Sequence, residues 1–164
     1  MTKVLEFPTK SLTEVSTPLT QEEIIHNVDK QIIYDMQAGL DKFVNKAVGI
    51  AAPQVGHNRR IIIVNTNTLS AIMINPMIVS KSEAMQKSYE GCLSVPKING
   101  NVQRHWDIVM DYIDELGMAQ KLLVTGFDAT VVQHEVDHLD GILFTDHLTG
   151  SDKKKADNKL SKRK

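Results

Sequence analysis

Val131-Val132-Gln133-His134-Glu135-Val136-Asp137-His138-Leu139-Asp140-Gly141 is the stretch on which the reading of the whole chain depends. On a helix, residues four apart lie one turn up on the same face, so His134 and His138 can aim both imidazoles at one point. Glu135 sits about 100° round the axis from His134, at roughly 3.6 residues per turn. Its carboxylate therefore stands beside the pair, which suits a general base next to a metal-activated water. The plainer alternative is a solvated helix face with two histidines, and Asp128, Asp137 and Asp140 do make part of this helix polar. A metal site needs a further ligand.

Two downstream arrangements fail. One would use a Glu past the second histidine, and no Glu follows Glu135. The other would run H-E-x-x-H-x-x-G-x-x-H; Gly141 fits, but the last position is Phe144, and His147 is wrongly spaced. Upstream, Cys92 is the only cysteine, within Tyr89-Glu90-Gly91-Cys92-Leu93-Ser94-Val95-Pro96. A lone Cys is commonly a small buried hydrophobe. This one lies in a loop or strand-edge context, and with His134 and His138 it makes three ligands and leaves a fourth position open. Thiolate with imidazoles suits zinc or ferrous iron, not magnesium or calcium.

Glu90-Gly91-Cys92-Leu93-Ser94 and Gln133-His134-Glu135-x-x-His138 resemble two of the three signature motifs of the peptide deformylases, and Gly49-Ile50-Ala51-Ala52-Pro53-Gln54 resembles the third, in the right order. Ile74-Asn75-Pro76 and Asp140-Gly141-x-Leu143-Phe144 are similar to connecting segments of that family, and Ser94-Val95-Pro96 to its shorter bacterial-type branch. The likeness runs from about Val4 to Leu148. It implies metal-dependent removal of the N-formyl group from N-formylmethionine of nascent polypeptides. In that reading Cys92, His134 and His138 are metal ligands and Glu135 is the general base. Gln54 and the Leu93 backbone N–H are oxyanion donors. Gly49 and Val48 border the peptide as it pairs with a strand edge, and Thr130 and Val131 border its first side chain. The metal implied is ferrous iron, with zinc, nickel or cobalt as substitutes.

Three positions depart from the resemblance. Ala47 stands where the family usually has Gly, and Lys97-Ile98-Asn99-Gly100-Asn101 stands where an Arg is common. Thr130 replaces an apolar residue of the motif helix; its hydroxyl could bond its own helix. Arg104 matches a family position and is expected either to pair with Glu90 behind the cysteine or to form a plain surface ion pair.

Composition frames these motifs. With 164 residues, 41% hydrophobic and 24% charged, the chain reads as one ordinary globular domain, 1–150, followed by a tail, 151–164. One cysteine cannot close an internal disulfide, the N-terminal residues carry no secretory pattern, and no stretch approaches a membrane span, so a cytoplasmic monomer is expected. Thr20-x-x-Glu23 predicts a capping box opening an amphipathic helix, with Ile25, Val28, Ile32, Met36 and Leu40 as its core stripe. Arg60 to Val64, Ala71 to Val79 (broken at Asn75-Pro76), Asp107 to Tyr112 and Lys121 to Val124 read as strands, with Glu115-Leu116-Gly117 as a turn and Thr125 to Gly141 as the motif helix. The fold expected is α+β, with mixed, mostly antiparallel sheets packed around a central HExxH helix.

The tail holds seven Lys or Arg against two Asp, and Leu160 is its only large apolar residue. It is expected to be solvated, to contact ribosomal or other RNA through its cations, and to be dispensable for the chemistry. Three rival readings remain: a general metallopeptidase, a relative acting on another N-acylated substrate, and an RNA-binding module resting on the tail.

Overall fold

The computed structural model describes residues 2–44 and 46–163. Thr20 caps the first helix as its sequence requires: its hydroxyl accepts from the Glu23 N–H, and Glu23 accepts from the Thr20 N–H, 2.8 Å away. That helix, α1 (Gln21–Ile25), ends after five residues, and α2 (Val28–Leu40) begins beyond Asn27, whose φ is 58°. The single helix expected from the stripe is therefore two. Ile25 and Val28, placed in the core by periodicity, are exposed, while Ile32, Ile33 and Met36 are buried. Asn tolerates the left-handed region that breaks the helix better than most residues, so the 3.6-residue pattern carries across a break in the backbone.

Five strands form an antiparallel sheet in the order β1 (Gly49–Ala51), β2 (Ile61–Asn65), β3 (Ser70–Lys81), β6 (Asp107–Ile113) and β7 (Ala119–Thr125). β3 is longer than expected, because Asn75-Pro76 does not end it. Pairing with β6 slips there instead, and Asn75, at φ 51°, uses its side chain to bond both the N–H and the carbonyl of Leu19. A second, two-stranded sheet joins β4 (Met85–Gly91) to β5 (Asn99–His105) in antiparallel register. Its strands were not anticipated: Gln86, Lys87, Ser88 and Glu90 in one, and Asn99, Gly100, Asn101 and Gln103 in the other, give no run of β-branched residues.

The main sheet is covered on both sides, which explains the β-branched β2. Ile62 and Val64 join Met73, Ile108, Met110 and Val124 under α3 (Gly126–Leu139), while Ile61 and Ile63 join Ile50 and Ile74 under α2. Each such side chain contributes about 1.5–3 kcal/mol by leaving water. Helix α3 is anchored at both ends. Thr66 and Thr68, in the β2–β3 turn, donate to the Asp128 carboxylate at 2.6 and 2.8 Å in its first turn. At the other end Ser16 N–H donates to the Leu139 carbonyl, and Arg60 pairs with Asp140 at 2.7 Å. Gly141, at φ 72°, follows; a Cβ there would lie 2.8 Å from the Thr13 carbonyl, so the N-terminal arm crosses where only glycine leaves room.

The segment expected to be a solvated tail is a helix, α4 (Gly150–Leu160), lying against β5. Small size, not bulk, docks it: Ala156 is 1% exposed and joins a third cluster with Leu12, Val95, Ile98, Val102, Leu143, Phe144 and Leu148, on which Leu160 and Cys92 also pack. Polar contacts complete the docking. Lys159 Nζ donates to the Lys97 carbonyl at 2.8 Å, Arg163 to the Pro96 carbonyl, and Lys153 to the Thr145 carbonyl at 3.2 Å. The expectation that this segment buries no helix face is corrected: it took large apolar residues as the only means of burial. No helix among the described residues is long and apolar enough to cross a membrane.

Candidate metal centre

Helix α3 presents His134 and His138 from one face, as their spacing predicts, with ring centroids 5.1 Å apart and nearly perpendicular. Cys92 stands at the end of β4, in the loop that leads to β5, and its Sγ lies 3.2 Å from His138 Nε2. One donor atom from each of Cys92, His134 and His138 falls within 4.8 Å of the others. Sulfur and two ring nitrogens converging in this way form a donor set fit for one borderline-soft divalent ion. Burial disfavours the Cys92 thiolate, yet the imidazoles beside it, His138 foremost, outweigh that and hold its pKa well below the usual thiol range. Burial likewise works against a charged His134, and Cys92 and Glu90 override it, raising its pKa. Each group holds the other in its charged form, and a cation would serve the thiolate equally well.

Behind His134 lies an ion-pair chain of which sequence showed only one link. His134 Nδ1 sits 2.8 Å from Glu90, which leaves Nε2 for the site. Glu90 in turn takes a two-pronged grip from Arg104, at 2.8 and 3.0 Å, with both side chains buried. The surface reading of that pair is thereby excluded. Arg104 also donates to Asp137 at 2.6 Å, and His147 Nε2 lies 2.8 Å from the same carboxylate. Burial would raise the Glu90 pKa, but Arg104 and then His134 bring it down to about 2. Glu90 precedes Cys92 by two residues and Asp137 precedes His138 by one, and that adjacency was the available signal. Gln133 fixes the helix to the hairpin by accepting from the His105 N–H at 3.1 Å and donating to its carbonyl at 2.9 Å.

Glu135 is buried beside the three donors. Burial lifts its pKa to about 7, with His134 and His138 acting in the opposite sense. Its Oε2 has no partner among the described residues, nor has His138 Nδ1, both enclosed. Gly49 packs against it: a Cβ there would stand 2.5 Å from Glu135 Oε1 and 2.9 Å from its Cγ. The glycine is thus needed by the carboxylate itself, a reason the sequence did not show.

Gln54 is 2% exposed and held from one end, its Oε1 accepting from Ala51 N–H at 2.9 Å. The other end points its Nε2 at Ser94 Oγ, 3.1 Å, and Cys92 Sγ, 3.6 Å. Leu93 lies on the same cleft, and no backbone carbonyl among the described residues takes its N–H. The cleft holds about 420 Å³ and is bordered by Ala47, Val48, Gly49, Gln54, Cys92, Leu93, Asn99, Thr130, Val131, His134 and Glu135. His138, 1% exposed, does not line the cleft but lies behind Cys92. Lys46, Ser88, Tyr89 and Phe127 also line it. None of these four was singled out from sequence: for Ser88 and Tyr89, a strand with polar residues on both faces gives no sign of which face is functional, and Lys46 and Phe127 lie outside the three motifs.

Comparison with known proteins gives one result throughout. A family model described as polypeptide deformylase matches residues 1–154. The peptide deformylase of Finegoldia magna is 41% identical over 121 residues, 73% of this chain and 74% of that one. Among solved structures, a Plasmodium falciparum peptide deformylase in complex with an inhibitor superposes with a TM-score of 0.86 at 35% identity, covering 97% of both chains. A class I type b enzyme of Acinetobacter baumannii bound to actinonin gives 0.82 at 37%, covering 89% of this chain and 97% of that one. The mixed fold of helices and antiparallel sheets is shared with these structures.

Proposed function

The chain belongs to the peptide deformylase family, and from that premise we propose that Cys92, His134 and His138 hold its metal and that Glu135 is its general base. The family identity makes it a metal-dependent hydrolase that removes the formyl group from nascent polypeptides. A bound divalent ion polarises the formyl carbonyl and acidifies the attacking water. We take that ion to be ferrous iron, with zinc, nickel or cobalt able to replace it.

Every other step belongs to the chain. Glu135 accepts the water proton and returns it to the departing α-amine; a carboxylate poised near neutrality is suited to both transfers. Gln54 Nε2 and the Leu93 N–H donate to the formyl oxygen as it gains charge. The peptide adds to the free edge of β1 at Val48 and Gly49, with its first side chain against Thr130 and Val131. Glu90 keeps His134 in one tautomer and orientation. The α3 helix is the centre of this machinery, and residues 1–150 carry all of the chemistry. The enzyme works as a cytoplasmic monomer, and Lys154 and Lys155, exposed on α4, with Lys162, exposed just beyond its end, are its contact with RNA phosphates.

The observation that carries this reading is the convergence of one sulfur and two ring nitrogens beside a carboxylate oxygen that has no hydrogen-bond partner among the described residues. Iron-loaded protein, assayed without oxygen, should release formate from formyl-Met peptides in preference to free formyl-Met and leave unformylated peptides intact. Cleavage of internal peptide bonds, or no formate from any of them, would reject it.

A further inference from the structure

Two hydroxyls occupy the cleft wall one step outward from the residues that meet at the proposed centre. Thr130 lies one turn before His134 on α3, about 6 Å along the axis at 1.5 Å per residue. Ser88 lies two residues before Glu90 on β4, so it faces the same way as Glu90, roughly 7 Å along the strand. Glu90 and His134 touch, at 2.8 Å. Thr130 and Ser88 therefore project from two walls that are already in contact one step deeper. Both line the cleft; Thr130 is 4% exposed and Ser88 half-buried. Neither hydroxyl has a hydrogen-bond partner among the described residues. A hydroxyl that opens on the cleft with no protein partner is free to bond a ligand atom as donor or acceptor.

We propose that Ser88 and Thr130 form a hydrogen-bonding gate for the first side chain of the substrate and admit N-formyl peptides whose first residue is methionine sulfoxide. This rests on the deformylase reading and deepens it. A thioether sulfur is a weak acceptor, whereas a sulfoxide oxygen takes hydrogen bonds strongly. An apolar wall at both positions would leave that oxygen without partners; two hydroxyls supply them. Val131 and Phe127 keep the rest of the wall apolar, so unoxidised methionine still has surface to cover. The chemistry is unchanged. Water adds to the formyl carbon, the C–N bond breaks, formate leaves and the amine takes the proton; sulfur keeps its oxidation state.

The test compares kcat/KM for one peptide carrying either formyl-methionine or formyl-methionine sulfoxide at its first position. The wild-type chain should process the two within about tenfold of one another. Thr130→Val with Ser88→Ala should lower the sulfoxide-to-methionine ratio about tenfold or more, chiefly through KM, as loss of partners for a buried polar group requires. Thr130→Ser, which keeps the hydroxyl, should preserve most of the ratio. Because both peptides are measured on the same preparation, partial misfolding scales them together and leaves the ratio alone. A ratio unaltered by the double replacement, or equally reduced by Thr130→Ser, would overturn the proposal. Turnover of neither peptide by the wild-type chain would instead reject the deformylase reading beneath it.

Discussion

The two histidines and the cysteine reach the same point from walls built in different ways. The histidine wall is a helix held by its own backbone, anchored at both ends and backed by the chain of buried Glu90 and Arg104 with half-buried Asp137. The cysteine wall is a loop, with Lys97 at φ 65° and Asn99 packed over Gly91, where a Cβ would meet the Asn99 amide at 2.3 Å. Its outer carbonyls, at Pro96 and Lys97, are held by side chains of residues 159 and 163. Both walls take distant anchors, but the helix backbone itself sets the directions of its two histidines, whereas the loop that carries the cysteine is held in shape by side chains more than sixty positions away. Chemistry placed on the first wall should respond to substitution at the site, and metal retention on the second should respond to changes far from it.

The largest effect is expected from Glu135→Gln. It keeps the size of a side chain enclosed against Gly49 and removes only its basicity, so turnover should fall about 10²–10⁴-fold while metal content stays near that of the unaltered protein. Turnover close to wild type would remove the base from the histidine wall. Next comes Arg104→Met, which strands the buried Glu90 carboxylate and takes a partner from the half-buried Asp137; stability to denaturant should fall by about 3–5 kcal/mol. A loss under 1 kcal/mol would mean that the backing chain is not what makes this wall firm.

The same chain should set the acid limit of the fold. The Glu90 pKa is about 2 when folded, below its ordinary 4.5. Its depressed pKa contributes stability that is complete above about 4.5 and is lost as the pH falls toward 2. Acid unfolding of Glu90→Gln should accordingly flatten across that window, and an undiminished slope there would assign acid sensitivity elsewhere. The smallest effect is expected from ending the chain after Thr149. Because α4 docks beside the Cys92 loop, metal affinity should drop roughly tenfold through a looser loop, while the chemistry, for which 151–164 is expected to be dispensable, keeps its pH profile. Equal affinity with and without α4 would make the two walls alike.

What could be read from the sequence follows the same division. His134, Glu135 and His138 were legible because helical periodicity alone sets their directions, and Ile61 to Val64 because a strand covered on both faces is β-branched throughout. The hairpin was not, since Ser88 and Glu90 are polar residues facing a functional cleft and Gln86 bonds the Gly126 carbonyl, so the usual apolar alternation has no reason to exist. Helix α4 hid behind its lysines: Ala156 docks by being small, and Lys153, Lys159 and Arg163 by reaching carbonyls, neither of which raises apolar content. The contact of Gly49 with Glu135 joins two motifs eighty-six positions apart, and no local pattern records such a distance.

The order of the chain gives the dependence on α4 a consequence in time. Synthesis delivers the N-terminal parts first, so β4, the Cys92 loop, β5 and α3 are all made before residues 150–163 that prop the loop. During that interval the histidine wall can assemble from neighbours already present, while the cysteine wall lacks its support. On the proposed ligand set, capture of the metal by all three donors is thus tied to residues made after every donor, and a chain stalled before residue 150 would hold the histidines ready with the thiol side still unsettled.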